Sequence, residues 1–127
     1  DTYLENKIIS AQIALEQLSF FLLTQSPSAV MFKKKFKNNS LKKNLEEVLS
    51  LAGISQLLQE SENRDLFENG PDALVTFRNH IAHPEPKKKL NQMSGIDKVR
   101  IKEVAVYYIE LLTLFLVNYK DIMVFLS

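Results

Sequence analysis

Apolar residues recur along residues 3–24 at alternating spacings of four and three: Leu4, Ile8, Ala11, Leu15, Leu18 and Leu22. That spacing is the seam of one helix packed against another. Beside it runs a second row, Ile9, Ile13, Glu16, Phe20 and Leu23, in which Glu16 is the one charge. Gln25, Ser26, Pro27 and Ser28 stop this helix, because proline lacks an amide hydrogen and restricts the residue before it. Residues 33–39 are rich in lysine and read as a loop. Ser40 is placed to cap a second helix whose apolar face is Leu41, Leu45, Val48 and Ala52, ended by Gly53. Residues 54–59 add a short further piece, and the acidic stretch 60–69 is a connector with one helical turn.

Asn69, Gly70 and Pro71 open a third helix, with the proline at its first position, where a missing donor does no harm. His83 and Pro84 close it. Residues 85–92 are polar and basic, a loop. Ser94, Gly95, Ile96 and Asp97 match a capping box and start a fourth helix that runs to the chain end. Its stretch from Val104 to Val117 is apolar except for Glu110 and Thr113, too short and too interrupted for a membrane span of about 20 apolar residues. It reads as the central core helix, with apolar surface on most sides to offer a second subunit. Together these elements predict an all-α fold, a four- to five-helix bundle forming one domain over residues 1–127.

Composition narrows the picture. Three glycines and the lack of alternating strands agree with an all-helical chain. No cysteine is present, which excludes disulfides and thiolate metal sites and fits a cytoplasmic protein. The first turn is acidic and polar, unlike a signal peptide, and a start at Asp1 rather than methionine suggests a fragment of a longer protein. Net charge is +1, yet the charges are segregated. Lys33, Lys34, Lys35, Lys37, Lys42 and Lys43 form one basic run. Arg78, Lys87, Lys88, Lys89, Lys98, Arg100 and Lys102 form another, with Glu60, Glu62, Asp65, Glu68 and Asp72 between them. Such separation builds a positive surface on a chain of low net charge, although lysine runs also occur on plain solvated loops.

The chemistry concentrates in the third helix. At about 100° per residue, Leu74, Phe77 and Ile81 share one side, and Arg78 falls inside that apolar stripe. A guanidinium keeps its charge and needs a carboxylate, a ligand or a wet cleft. Glu16 interrupts an apolar row in the same way and is the natural partner. Two readings stand side by side at this point, a buried structural Arg78–Glu16 pair and a functional arginine.

Asn79 and His83 are four apart and share a helix face, so Asn79 is placed to fix the imidazole tautomer. His83 lies in the last turn, where the helix dipole favours its protonated form. His80 points elsewhere, about 60° from His83 and nearly opposite Arg78. No third metal ligand accompanies the two histidines, and neither a nucleophile elbow nor a phosphate-cradling glycine loop is present. Arginine, asparagine and histidine without metal or cofactor suit RNA cleavage by attack of its own 2′-hydroxyl on the adjacent phosphate. Arg78 and His83 stand about 140° apart around one helix, so two copies facing across a two-fold axis would assemble the site better than one.

Arg78-Asn79-His80-Ile81-Ala82-His83 resembles the arginine, polar residue, then histidine motif of the HEPN superfamily (higher eukaryotes and prokaryotes nucleotide-binding). In that motif four to six residues separate arginine from histidine, and here four do. The longer string from Leu74 to Pro84 is most similar to the ApeA-like HEPN group of phage-defence proteins, and the order of the helices agrees over most of the chain. The resemblance implies a helical bundle that dimerises through its motif face and cleaves RNA without metal, leaving a 2′,3′-cyclic phosphate; transfer RNA is one candidate among the RNA partners. It implies that Arg78 holds the phosphate, that His83 moves the proton and that Asn79 is the motif's polar residue. Glu16 and His80 are accessory positions that rest on the helix reading alone. Lys33, Lys34, Lys35, Lys87, Lys88 and Lys89 are the expected RNA-binding cations, and a fused sensor domain or an antitoxin is the expected protein partner. Some HEPN-like domains bind or dimerise without cleaving, and the sequence also admits that reading.

Overall fold

A computed structural model of the chain describes residues 2–24, 39–59, 66–82 and 95–126. Among them are four helices and no strand: α1 (Thr2–Thr24), α2 (Leu41–Leu51), α3 (Gly70–Ala82) and α4 (Gly95–Leu126). The expected all-α bundle is therefore present. Its hub is α1, against which each of the other three helices packs. That corrects the reading of α4 as the central helix. One face of α4, Ile101, Val104, Ala105, Tyr108 and Leu112, is buried, whereas Val106, Tyr107, Leu114 and Val117 are exposed on the other.

The buried stripe of α1 is Leu4, Ile8, Gln12, Leu15, Ser19, Leu22, Leu23 and Thr24. Ala11 and Leu18, expected in the seam, are only partly buried. Gln12 and Ser19 replace them at the centre because the stripe must face three neighbours, which rotates and widens it. Ser19 meets its burial by donating its hydroxyl to the Leu15 carbonyl at 2.7 Å. Of the second row, Leu23 is buried, while Ile13 and Phe20 are exposed at either side of Glu16.

α1 and α4 run the same way. Lys98 near the start of α4 pairs with Glu5 at 3.6 Å, and Leu116 far along it lies with Leu18 and Phe21. Over the stretch where both helices run side by side, the start of one thus lies beside the start of the other.

The caps follow the sequence closely. Ser40 is the N-cap of α2, its Oγ accepting from the Lys43 amide at 3.2 Å. At the other end Gly53 adopts φ 71°, a left-handed conformation that glycine takes without strain. There the Gly53 amide donates to Ser50 O and the Ile54 amide to Leu49 O, the paired bonds of a Schellman ending. Residues 54–59 form no further helix. Gln56 instead ties this segment down, its amide donating to Glu46 O and Ser50 Oγ, both at 2.9 Å.

Asn69 caps α3 by accepting from the Asp72 amide at 2.8 Å, and Asp72 in turn accepts from the Glu68 amide. Pro71 sits at the second helical position rather than the first, where its missing donor is equally harmless. Lys42 clamps this corner to α2 through Glu68 at 2.7 Å. That hydrogen bond holds the ammonium above its ordinary pKa. Of the acidic connector, Phe67 is buried in the core, and residues 60–65 lie outside the described residues, as do the closing His83 and Pro84 of α3 and the capping Ser94 of α4.

Gly70 shows why α3 starts where it does. Its amide donates to Gln56 O at 2.8 Å, and a Cβ added there would overlap the Tyr108 hydroxyl and come within 2.7 Å of its Cζ. Glycine lets α3 start directly against the ring on α4. Gly70→Ala is expected to destabilise the domain by about 1–3 kcal/mol through overpacking. Tyr108→Phe in the same background should recover part of that loss, read as the midpoint of urea unfolding.

Candidate functional site

Arg78 projects from the second half of α3 toward the second half of α1. Its Nη1 lies 3.3 Å from Glu16 Oε1, so the two charges that interrupt apolar rows in the sequence do meet. The pair is partly buried. Side-chain exposure is 36% for Arg78 and 32% for Glu16, while the Glu16 Oε1 that faces the guanidinium is itself closed off from solvent. The pair is also imperfectly formed, since Glu16 Oε1 receives no aligned hydrogen bond despite the short separation. Ile13 and Phe20, 45% and 46% exposed, lie one turn to either side of Glu16 on α1. The site is thus a loosely paired cation between two exposed apolar side chains.

Asn79 is exposed on the adjacent position of α3. His80 is half-buried, and its Nδ1 has no hydrogen-bonding partner among the described residues. His83 lies outside the described residues, as do Lys33, Lys34, Lys35, Lys87, Lys88 and Lys89. The structure therefore brings Glu16 and Arg78 together with Asn79 beside them on α3. No cluster of metal-ligating side chains occurs among the described residues, and none of their helices is long and apolar enough to cross a membrane.

One neighbour of the site escaped the sequence reading. Gln12 is 1% exposed, one turn before Glu16 on α1, and neither its Nε2 nor its Oε1 has a partner among the described residues. An unmet buried amide costs about 1–3 kcal/mol. The signal available in the sequence was its spacing, four residues after Ile8 and four before Glu16.

Elsewhere the surface carries a cleft of about 600 Å³ lined by Leu57, Leu58, Gln59, Glu103, Val104, Tyr107 and Tyr108. It lies between the segment after α2 and α4, and none of the residues expected in the site lines it.

Fold and surface define a small all-helical domain with a solvent-accessible arginine held by one carboxylate. The chain belongs to the YopA C-terminal domain family, whose profile matches residues 1–123. It is 32% identical over 118 residues to the "SPbeta prophage-derived uncharacterized protein YopA" of Bacillus subtilis (strain 168). That match covers 91% of this chain and 26% of the relative, so the chain spans about a quarter of the length of the curated protein it matches. No solved structure matches the chain.

The exposure of the pair bears on what Arg78 contributes to stability. A partly exposed pair lies nearer the roughly 0–1 kcal/mol of a surface pair than the several kcal/mol lost when a buried pair is broken. Arg78→Ala is therefore expected to lower stability by no more than about 1 kcal/mol in thermal or urea unfolding. A loss several times larger would mark the arginine as a structural strut.

Proposed function

We propose that this domain is a metal-independent endoribonuclease of the HEPN kind, acting in the cytoplasm as a homodimer. The observation that carries the reading is the partly exposed Arg78 side chain, paired to Glu16 without an aligned hydrogen bond, on a helix whose sequence continues to Asn79 and His83.

In the reaction, the 2′-hydroxyl of one nucleotide loses its proton to a base and attacks the adjacent phosphorus. The bond from phosphorus to the 5′-oxygen of the next nucleotide breaks, and that oxygen takes up a proton. The products are a 2′,3′-cyclic phosphate and a 5′-hydroxyl, with no metal needed. Arg78 supplies a planar two-pronged fork for the non-bridging oxygens, where charge accumulates. His83 serves the proton transfers, since imidazole titrates near neutrality. Asn79 fixes the imidazole tautomer from the same helix face, and Lys33, Lys34, Lys35, Lys87, Lys88 and Lys89 draw the RNA backbone inward.

A second copy supports this chemistry. Ile13 and Phe20 flank the ion pair with apolar surface, and a two-fold axis through that patch would bring two Arg78 side chains to one cleft. The relative's prophage origin favours a role in phage defence or a toxin system. Its greater length favours regulation by a fused sensor domain, with an antitoxin as the other candidate partner. Glu16 also supports a second reading. A carboxylate holding Arg78 opposes an incoming phosphate, as expected of a module that binds nucleotide or dimerises without cleaving.

The decisive experiment is incubation of total RNA and transfer RNA with the purified chain in excess chelator. Cleavage is expected, with Arg78→Ala and His83→Ala each lowering the rate by about 10²–10⁴-fold. Intact RNA with retained binding would favour the second reading. In sedimentation at micromolar concentration the chain should run as a dimer of its 14.6 kDa unit, and Ile13→Glu with Phe20→Glu should return it to a monomer. A wild-type monomer would count against the composite site.

A further inference from the structure

Two polar groups on α1 lack a hydrogen-bonding partner among the described residues, and they complement one another. Gln12 has both amide atoms unmet at 1% exposure. Glu16 Oε1 is unmet as an acceptor, although Arg78 Nη1 stands 3.3 Å away. The residues are one helical turn apart, about 40° around the axis. Helical side chains tend to lean toward the N-terminus, the direction in which Gln12 lies from Glu16. The other buried polar side chains of this stripe, Ser19 and Thr24, are already committed to the Leu15 and Phe20 carbonyls. Buried amides are nearly always satisfied, so one with neither atom met points to a second arrangement in which it is.

We infer that Gln12 is the positioning residue of the Arg78–Glu16 pair: when a phosphate draws Arg78 away, Gln12 Nε2 donates to Glu16 Oε1 in its place. This deepens the reading of Arg78 as a phosphate clamp and rests on it. Removing Arg78 from Glu16 would otherwise leave a half-buried carboxylate without a donor, which opposes binding of the anion. With Gln12 in place, the carboxylate exchanges one donor for another and the guanidinium fork turns to the phosphate oxygens. The exchange needs side-chain rotation alone, and no proton or bond changes hands. Leucine would fill much the same space without donating, so the need for glutamine here lies in its amide.

The test follows the Gln12 side-chain amide by NMR in the whole chain, its signal assigned by its loss in Gln12→Leu. Removing the guanidinium with Arg78→Met, or Arg78→Gln should the first variant fail to fold, is expected to shift that signal. Its exchange with solvent should slow by about tenfold or more, the protection of one hydrogen bond to a charged group. The change should vanish when Glu16→Ala is added. A signal that ignores the loss of Arg78, or that changes equally without Glu16, overturns the inference.

A 2′-deoxy oligonucleotide, which cannot be cleaved, supplies the second arm. Its binding to the wild type should produce the same amide change. Gln12→Leu should weaken that binding about tenfold when Glu16 is present and leave it unaltered in Glu16→Ala. Failure of the wild type to bind the oligonucleotide would overturn the phosphate reading of Arg78, while the arm without nucleic acid still decides the role of Gln12.

Discussion

Three helices bury their apolar faces against α1, and this shared surface governs the rest of the domain. A helix that meets one partner needs a narrow stripe, whereas one that meets three must be apolar around much of its circumference. α1 satisfies that demand with leucine and isoleucine along most of its length. It departs from it with Gln12 and Ser19 at full burial and with Glu16 at the edge facing α3. Those departures set where polar chemistry can exist inside the bundle. Ser19 satisfies itself within its own helix, Glu16 draws Arg78, and Gln12 is left in want of a partner.

The geometry of α3 follows from this hub. Its start is pinned by the Asn69 cap, the Lys42–Glu68 pair and the seat of Gly70 under Tyr108. Leu74 and Phe77 are buried further along it. With those anchors set, Arg78 has little choice of direction, and it emerges at the rim between α3 and α1. Its partial exposure therefore follows from where the helix is anchored as much as from what the arginine contacts.

Much of this was legible in the sequence, and the reasons are local. The span of α1 came from apolar spacing, the start of α2 from Ser40 and its end from Gly53, and the start of α3 from Asn69 and Gly70. Each signal acts within a few residues, so neighbours in space do not alter it. The Arg78–Glu16 contact was legible because each charge interrupts an otherwise apolar row. Orientation was less accessible. Ala11 and Leu18 fit a two-helix seam, yet three partners rotate the buried face onto Gln12 and Ser19. α4 read as a core helix because composition cannot tell an inward apolar face from an outward one. The helix expected over residues 54–59 gave way to Gln56, whose backbone and side chain are taken by α2 and α3. Neither the approach of Gly70 to Tyr108 nor the exposure of Arg78 has a local signature, because both depend on segments far apart in the chain.

The common direction of α1 and α4 bears on how the chain is made. Lys98 pairs with Glu5, and Leu116 lines one surface hollow with Leu18 and Phe21, so α1's partner on α4 is synthesised more than ninety residues later. During vectorial synthesis, at roughly 5–20 residues per second, the hub helix emerges first and waits several seconds for the surface that closes over it. Contacts of such long sequence separation form late and slow the approach to the native state. Until α4 arrives, the part of the leucine-rich α1 stripe that α2 and α3 do not cover is open to chaperones and to other nascent copies. The order of helices along the gene thus leaves the element most needed by the finished domain incompletely covered until the last helix is made.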